Sequence, residues 1–222
     1  MNFLIFFSLV TALSSIVCDL FPFYKQKIEL LILRQANELS VEMIENINSP
    51  SQKRSWSQNY IFAFILLNIS TITFIINKND LWLAIFVLLF ALAAYIDALC
   101  NWVPDPLIYG ITWYTMIFVI YHFHPVPIEI KGHLYGVVSF VAPMILTNII
   151  VWFCHFKRQF ASGDLIIAIP IGLWIKPEYS LLVIGFAMVF ANFFSIYTKR
   201  KTIPFLPFLF ISFNLVNLSQ LS

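Results

Sequence analysis

Asp97 closes the apolar run 81–96, and Asp164 opens a second apolar run directly after Ser162-Gly163. A charge in such a segment is expensive, so one that is kept there usually has a task. A lone aspartate at either place would read as a helix cap or as a side chain reaching for the interface. Two at matching depth read differently. Carboxyl groups brought within a few ångströms cannot easily both ionise, and they share one proton. That state suits peptide hydrolysis, because the ionised partner activates water while the protonated one polarises the scissile carbonyl. Which partner takes which part stays open, since a coupled pair titrates as a unit.

The residues around each aspartate predict how it is presented. Residues 96–107 read Ile-Asp-Ala-Leu-Cys-Asn-Trp-Val-Pro-Asp-Pro-Leu. Pro104 and Pro106 force a helix break and free backbone groups that need partners. Irregular backbone at membrane depth is tolerated only where it is buried in protein or lines a wet cavity. Asp97 is therefore expected beside such a cavity, with Asp105 in a Pro-Asp turn of structural use. Residues 160–164 read Phe-Ala-Ser-Gly-Asp. Gly163 is expected to let the backbone turn or to admit another chain closely. Asp164 falls in a first helical turn, where the macrodipole favours negative charge.

The elements that must position these residues follow from composition. The chain has 222 residues, 60% hydrophobic, 18% aromatic and 11% charged, with a mean hydropathy of +0.86. No soluble domain of this size has that balance. With about 20 apolar residues needed per crossing, the sequence predicts an all-α integral membrane protein of about eight transmembrane helices. They lie near 2–23, 58–76, 81–98, 107–123, 134–154, 164–176, 179–197 and 203–219. The expectation is a single polytopic domain over 1–222, in which 1–57 is a first helix plus a cytoplasmic loop and 58–219 a membrane core.

Charge placement sets the orientation. With the N-terminus outside, ten of the 13 Lys and Arg fall on the cytoplasmic side, and only Lys78, Lys131 and Lys176 on the other. That bias is the positive-inside pattern, and it places Asp97, Asp105 and Asp164 near the cytoplasmic face. The apolar start has no basic residue before it, and Lys25 and Lys27 follow it, so it reads as a retained helix and not a signal peptide. Between Tyr24 and Ser57, apolar residues recur at helical spacing among charged ones, which predicts an amphipathic helix ended by Ser49-Pro50. Asp19, beside Lys25, reads as a snorkelling carboxylate. A net charge of +2 gives no reason for a nucleic-acid partner. Cys18, Cys100 and Cys154 lack CxxC spacing and read as small buried hydrophobes. His122, His124, His133 and His155 read as solvated interfacial residues on opposite sides, so neither a metal nor a cofactor is expected.

Taken together, these motifs resemble the type IV prepilin peptidases, GxGD-type intramembrane aspartyl proteases that also include archaeal preflagellin peptidases. The first motif of that family is an aspartate followed some seven residues on by Pro-Asp or Pro-Asn, matched by Asp97 and Pro104-Asp105. The second, GxGD, is matched by Ala161-Ser162-Gly163-Asp164, with a downstream glycine at Gly172. A Pro-Phe-x-Pro-Phe element opening the last helix appears as Pro204-Phe205-Leu206-Pro207-Phe208. The resemblance spans about 58–219. It implies Asp97 and Asp164 as the catalytic pair, with Asp105, Gly163 and Pro104 in support. It also implies a prepilin or pseudopilin substrate, cut at the cytoplasmic face of the inner membrane, with a short basic leader, a glycine before the scissile bond and an apolar helix after it.

The chain departs from the family pattern in three places. Ala161 replaces the first glycine of GxGD, and Ile166 stands where many members carry lysine. The loop between the first two helices is about 34 residues long and has no cysteine tetrad, which fits the short form of the family and not the members that also N-methylate. Two other readings accommodate the same aspartates: a small transporter or channel that uses them as ion sites, and a catalytically silent assembly factor of a pilus or secretion machine.

Overall fold

The computed structural model describes residues 4–17, 56–77, 80–123, 127–153, 160–199 and 203–219. Asp19, the amphipathic segment expected between Tyr24 and Ser57, Cys18, Cys154, His124, His155 and the side chains of Cys100 and His122 lie outside the described residues. Those described are helical apart from short connections, and none forms a strand. The helices are α1 (Leu4–Val17), α2 (Trp56–Ile76), α3 (Leu81–Cys100), α4 (Asp105–Phe123), α5 (Pro127–Phe153), α6 (Ser162–Trp174), α7 (Ser180–Thr198) and α8 (Leu206–Ser219). Each falls on one of the eight apolar segments read from the sequence.

The chain divides into two compact units, Met1–Thr71 and Ile72–Ser222. In the first, α1 buries Phe6, Val10 and Ser14, spaced four apart along one stripe. Its Ser8, Thr11 and Ser14 hydroxyls donate back to the carbonyls of Leu4, Phe7 and Thr11, so a polar side chain on an apolar helix meets its own hydrogen-bonding needs.

The second unit is built around α3. Asp80 caps its start, its Oδ1 accepting the N–H groups of Trp82 and Leu83 at 3.0 and 3.1 Å. Three helices among the described residues are long and apolar enough to cross a membrane, α3, α5 and α7 with its preceding turn. Of the apolar window of α3, 56% is buried, against 17% for each of the other two. That contrast makes α3 the interior helix and leaves α5 and α7 presenting apolar side chains outward, as helices facing lipid do.

Phe86 and Phe90 meet Phe213 and Phe210 of α8, with ring centroids 5.3–5.9 Å apart. Phe86 pairs with the later α8 residue and Phe90 also with the earlier one, so the two helices run antiparallel. Extending the α3 stripe by two turns from Phe90 brings it to Asp97, and extending the α8 stripe back from Phe213 brings it to Leu206.

At the opposite end, α5 and α6 form an antiparallel pair with almost no space between their backbones. A Cβ on Gly136 would sit 2.3 Å from the Gly172 carbonyl oxygen, and one on Gly172 would sit 2.7 Å from Val137 Cα. Only glycine fits either position, which accounts physically for the glycine within α6. His133 of α5 is half-buried, with Nδ1 2.5 Å from the Leu173 carbonyl oxygen near the end of α6. The expectation of a solvated histidine is therefore narrowed to a half-exposed one with a partner on one ring nitrogen. An imidazole N–H supplies one of the donors that the last carbonyls of a helix lack. Beside it, Trp174 stacks on Phe118 at 4.2 Å and on Phe86 at 5.3 Å, joining α3, α4 and α6.

Because the obstacle at Gly172 is backbone, Gly172→Ala is expected to lower stability by about 2 kcal/mol or more. Gly163→Ala, where an added Cβ meets only Ile108 Cδ1 at 3.4 Å, is expected to stay within about 1 kcal/mol of wild type. Thermal melts of the detergent-solubilised variants check both, and equal melting of Gly172→Ala and wild type would refute the close packing.

Candidate active site

Helix α3 ends where the sequence cannot continue it. Asn101 takes φ 52°, ψ 32°, the left-handed conformation that asparagine tolerates better than other side-chain-bearing residues, and its N–H bonds the Asp97 carbonyl at 2.7 Å. Pro104 follows three residues on, and its carbonyl accepts the N–H groups of Leu107 and Ile108, which opens α4 at Asp105. The break read from Pro104 and Pro106 is thus a left-handed cap, a short non-helical stretch and a new helix start.

Asp97 is 7% exposed, and its Oδ2 accepts the Leu206 N–H at 3.1 Å. The first N–H groups of a helix have no partner within it. At the start of α8, Pro207 has no N–H, and those of Phe208 and Leu209 bond the Phe205 carbonyl. The Leu206 N–H is left over, and the Asp97 carboxylate takes it. Pro204-Phe205-Leu206-Pro207-Phe208 therefore delivers one backbone donor to one carboxylate oxygen.

Asp164 is held in the same manner by its own helix. It is the third residue of α6, and its Oδ2 accepts the Ala161 N–H at 3.0 Å. This is the reciprocal half of a capping box. The other half is missing because alanine offers no side-chain acceptor. Ala161 has φ −70° and ψ 162°, an extended conformation open to any residue, so alanine in place of the first glycine of GxGD costs nothing in the backbone. No glycine among the described residues has a positive φ. Gly163 therefore makes no turn reserved for glycine, and a Cβ there would meet Ile108 Cδ1 at an ordinary contact distance of 3.4 Å.

Asp97, Asp105, Gly163 and Asp164 line one cavity of about 280 Å³, at the end of the unit where α3 stops and α4, α6 and α8 start. Asp105 is exposed at its rim, and Pro104 acts through its backbone beneath it. Among the described residues, Asp97 and Asp164 make no other hydrogen bond, so Oδ1 of each is free to engage water or a peptide. The arrangement offers two carboxylates, each fixed by a backbone amide through one oxygen and available through the other. Among the described residues no group of three or more His, Cys, Asp or Glu could hold a metal.

Sequence reasoning quoted four further residues within its motifs without giving them a place in the site. Asn101 and Trp102 line the cavity, as do Phe205 and Leu206. Asn101, three residues past the expected helix end at 98 and three before Pro104, was a usable signal for a left-handed cap. The backbone donors of Ala161 and Leu206 left no mark in residue type.

An apolar helical bundle with a carboxylate-lined cavity at one end is the class of protein that fold and site define. Residues 83–196, just over half of the chain, match the type IV leader peptidase family, a family of peptidases, and the chain belongs to it. No curated protein and no solved structure matches the chain significantly.

The amide anchors make separate demands on the two oxygens of a carboxyl and on its charge. Asp97→Asn keeps an acceptor for the Leu206 N–H and should retain the melting temperature, whereas Asp97→Ala strands a buried donor and should cost about 1–3 kcal/mol. Chemical or thermal denaturation distinguishes the two, and identical losses would refute the anchor.

Proposed function

We propose that the protein is an aspartic endopeptidase of the prepilin peptidase type, which removes the N-terminal leader of prepilins or pseudopilins at the cytoplasmic face of the inner membrane. The observation that carries the reading is the convergence of Asp97 and Asp164 on one cavity, each with one oxygen tied to a helix-start amide and the other unbonded among the described residues. Family membership supplies the reaction class, and the positive-inside bias supports a topology with eight crossings and the N-terminus outside.

In this reading the membrane core 58–219 receives the apolar helix of the substrate along its side, and the scissile bond lies over the cavity. A water between the two carboxyls loses a proton to the ionised partner and attacks the carbonyl carbon, while the protonated partner donates to the carbonyl oxygen. The resulting tetrahedral diol collapses as its C–N bond breaks and the amine takes up a proton. Fixed anchors on both carboxyls spare the reorganisation that mobile side chains would need at that moment. Asp105, exposed and not anchored, supports the loop and stays outside the dyad.

Co-expression with a prepilin, with leader removal followed by gel shift and N-terminal mass, tests the assignment. Wild type should cleave. Asp97→Asn and Asp164→Asn should each lose about a thousandfold or more in rate, and Asp105→Asn should keep at least about a tenth of it. Full cleavage by either dyad variant would overturn the pair. Failure of folded wild type to cleave any prepilin, together with ion flux in proteoliposomes, would replace the peptidase with a transporter.

A further inference from the structure

The two amide anchors come from elements far apart in sequence, yet the donors follow directly after two phenylalanines that touch. Ala161 follows Phe160, and Leu206 follows Phe205. The rings of Phe160 and Phe205 meet edge to face, centroids 5.1 Å apart. Phe160 is 2% exposed, and its backbone is gripped from the side by Asn148 of α5. The Asn148 Nδ2 donates to the Phe160 carbonyl, and its Oδ1 accepts the Phe160 N–H, both at 3.0 Å. Asn148 does not line the cavity. It is a carboxamide well inside an apolar helix, where polar groups are kept only when fully used.

From this chain of contacts we infer that Asn148 is a positioning residue for both carboxylates, acting through the Phe160–Phe205 pair. The inference rests on the peptidase reading for its consequence in catalysis, although the mechanical coupling itself does not. The double hydrogen bond fixes both backbone polar groups of Phe160, which lie outside any helix and have no ladder to join. With Phe160 fixed, the next peptide plane points the Ala161 N–H at Asp164. The Phe160 ring in turn sets where Phe205 rests, and the peptide after Phe205 points the Leu206 N–H at Asp97. One side chain on α5 thus controls the placement of two carboxylates that it does not touch. Edge-to-face geometry transmits direction as well as distance, which a pair of aliphatic side chains would not do.

Two measurements test this, and they fail separately. Amide hydrogen exchange in detergent, read on peptides covering 160–165 and 203–209, needs no activity. Asn148→Ala should speed exchange at Ala161 and also at Leu206 by about fivefold or more. Phe205→Leu should loosen the 160–165 peptide in the same way. A change confined to residues 160 and 161 would overturn the coupling. The second measurement is kinetic. With prepilin substrate, Asn148→Ala should lower kcat about tenfold or more with KM within about twofold, since misplacement of reacting groups is felt in the chemical step. Its effect should be less than additive with that of Phe205→Leu, because both break one path. Wild-type kcat in folded Asn148→Ala would overturn the positioning role. Absence of cleavage by wild type, with coupled exchange intact, would count against the peptidase reading and leave the coupling standing.

Discussion

A carboxylate inside an apolar bundle needs hydrogen-bond donors, and nearly every backbone donor there is already consumed by its own helix. The exceptions are the N–H groups at helix starts. This constraint governs the architecture of the second unit. Asp97 can remain buried because α8 begins against it, and the half-buried Asp164 is held because it sits in the first turn of the helix it caps. Both need chain breaks at the same end of the bundle, and these fall at Pro104 and Pro106 between α3 and α4, at the extended Ala161 before α6, and at Pro204 and Pro207 around the start of α8. The prolines do more than interrupt. Pro207 removes one competing donor, so the Leu206 N–H is the one that remains for Asp97.

The two ends of the unit are consequently built on opposite principles. Away from the cavity, Gly136 and Gly172 bring backbones into contact, Trp174 stacks between Phe86 and Phe118, and His133 occupies a terminal carbonyl. Little there can move without a backbone clash, and close-packed interiors transmit displacement instead of absorbing it. At the cavity end, helices stop short of one another and leave about 280 Å³ lined by three aspartates. The aromatic ladder of Phe86 and Phe90 with Phe210 and Phe213 connects the ends along α3 and α8. A rigid far end fixes the angle at which α3 and α8 approach, and the register of that ladder decides that Leu206, and no neighbour, faces Asp97.

What could be read from residue order follows the same division. Apolar run length located every described helix, and the proline breaks located the cavity end, because both are properties of a short stretch of chain. Asp97 and Asp164 stood out for the cost of placing charge in apolar sequence. What stayed hidden depends on which stretch meets which. Gly172 was visible, but its reason is Gly136, 36 residues earlier on another helix. Asn148 is unremarkable as a letter, and its value lies in a partner, Phe160, beyond the end of its own helix. The partner of His133 stayed hidden because nothing nearby in sequence announces the end of α6 as its acceptor. Gly163 was read as a turn or a close approach of another chain, yet its φ is ordinary and a Cβ there would meet Ile108 at an ordinary 3.4 Å.

The departures from the family pattern become intelligible on the same terms. A lysine two residues after Asp164 would offer a charge to orient that carboxylate, and Ile166 offers none. Orientation here is already supplied by the Ala161 N–H, a donor that substitution at Ala161 by any residue except proline leaves in place. The alanine in place of glycine is tolerated for a related reason, since the backbone at that position is extended. A site whose carboxylates are aimed by main-chain amides depends less on particular neighbouring side chains than one aimed by ion pairs. Its sensitivity moves instead to whatever holds those amides, namely the Phe160–Phe205 contact and the Asn148 grip behind it.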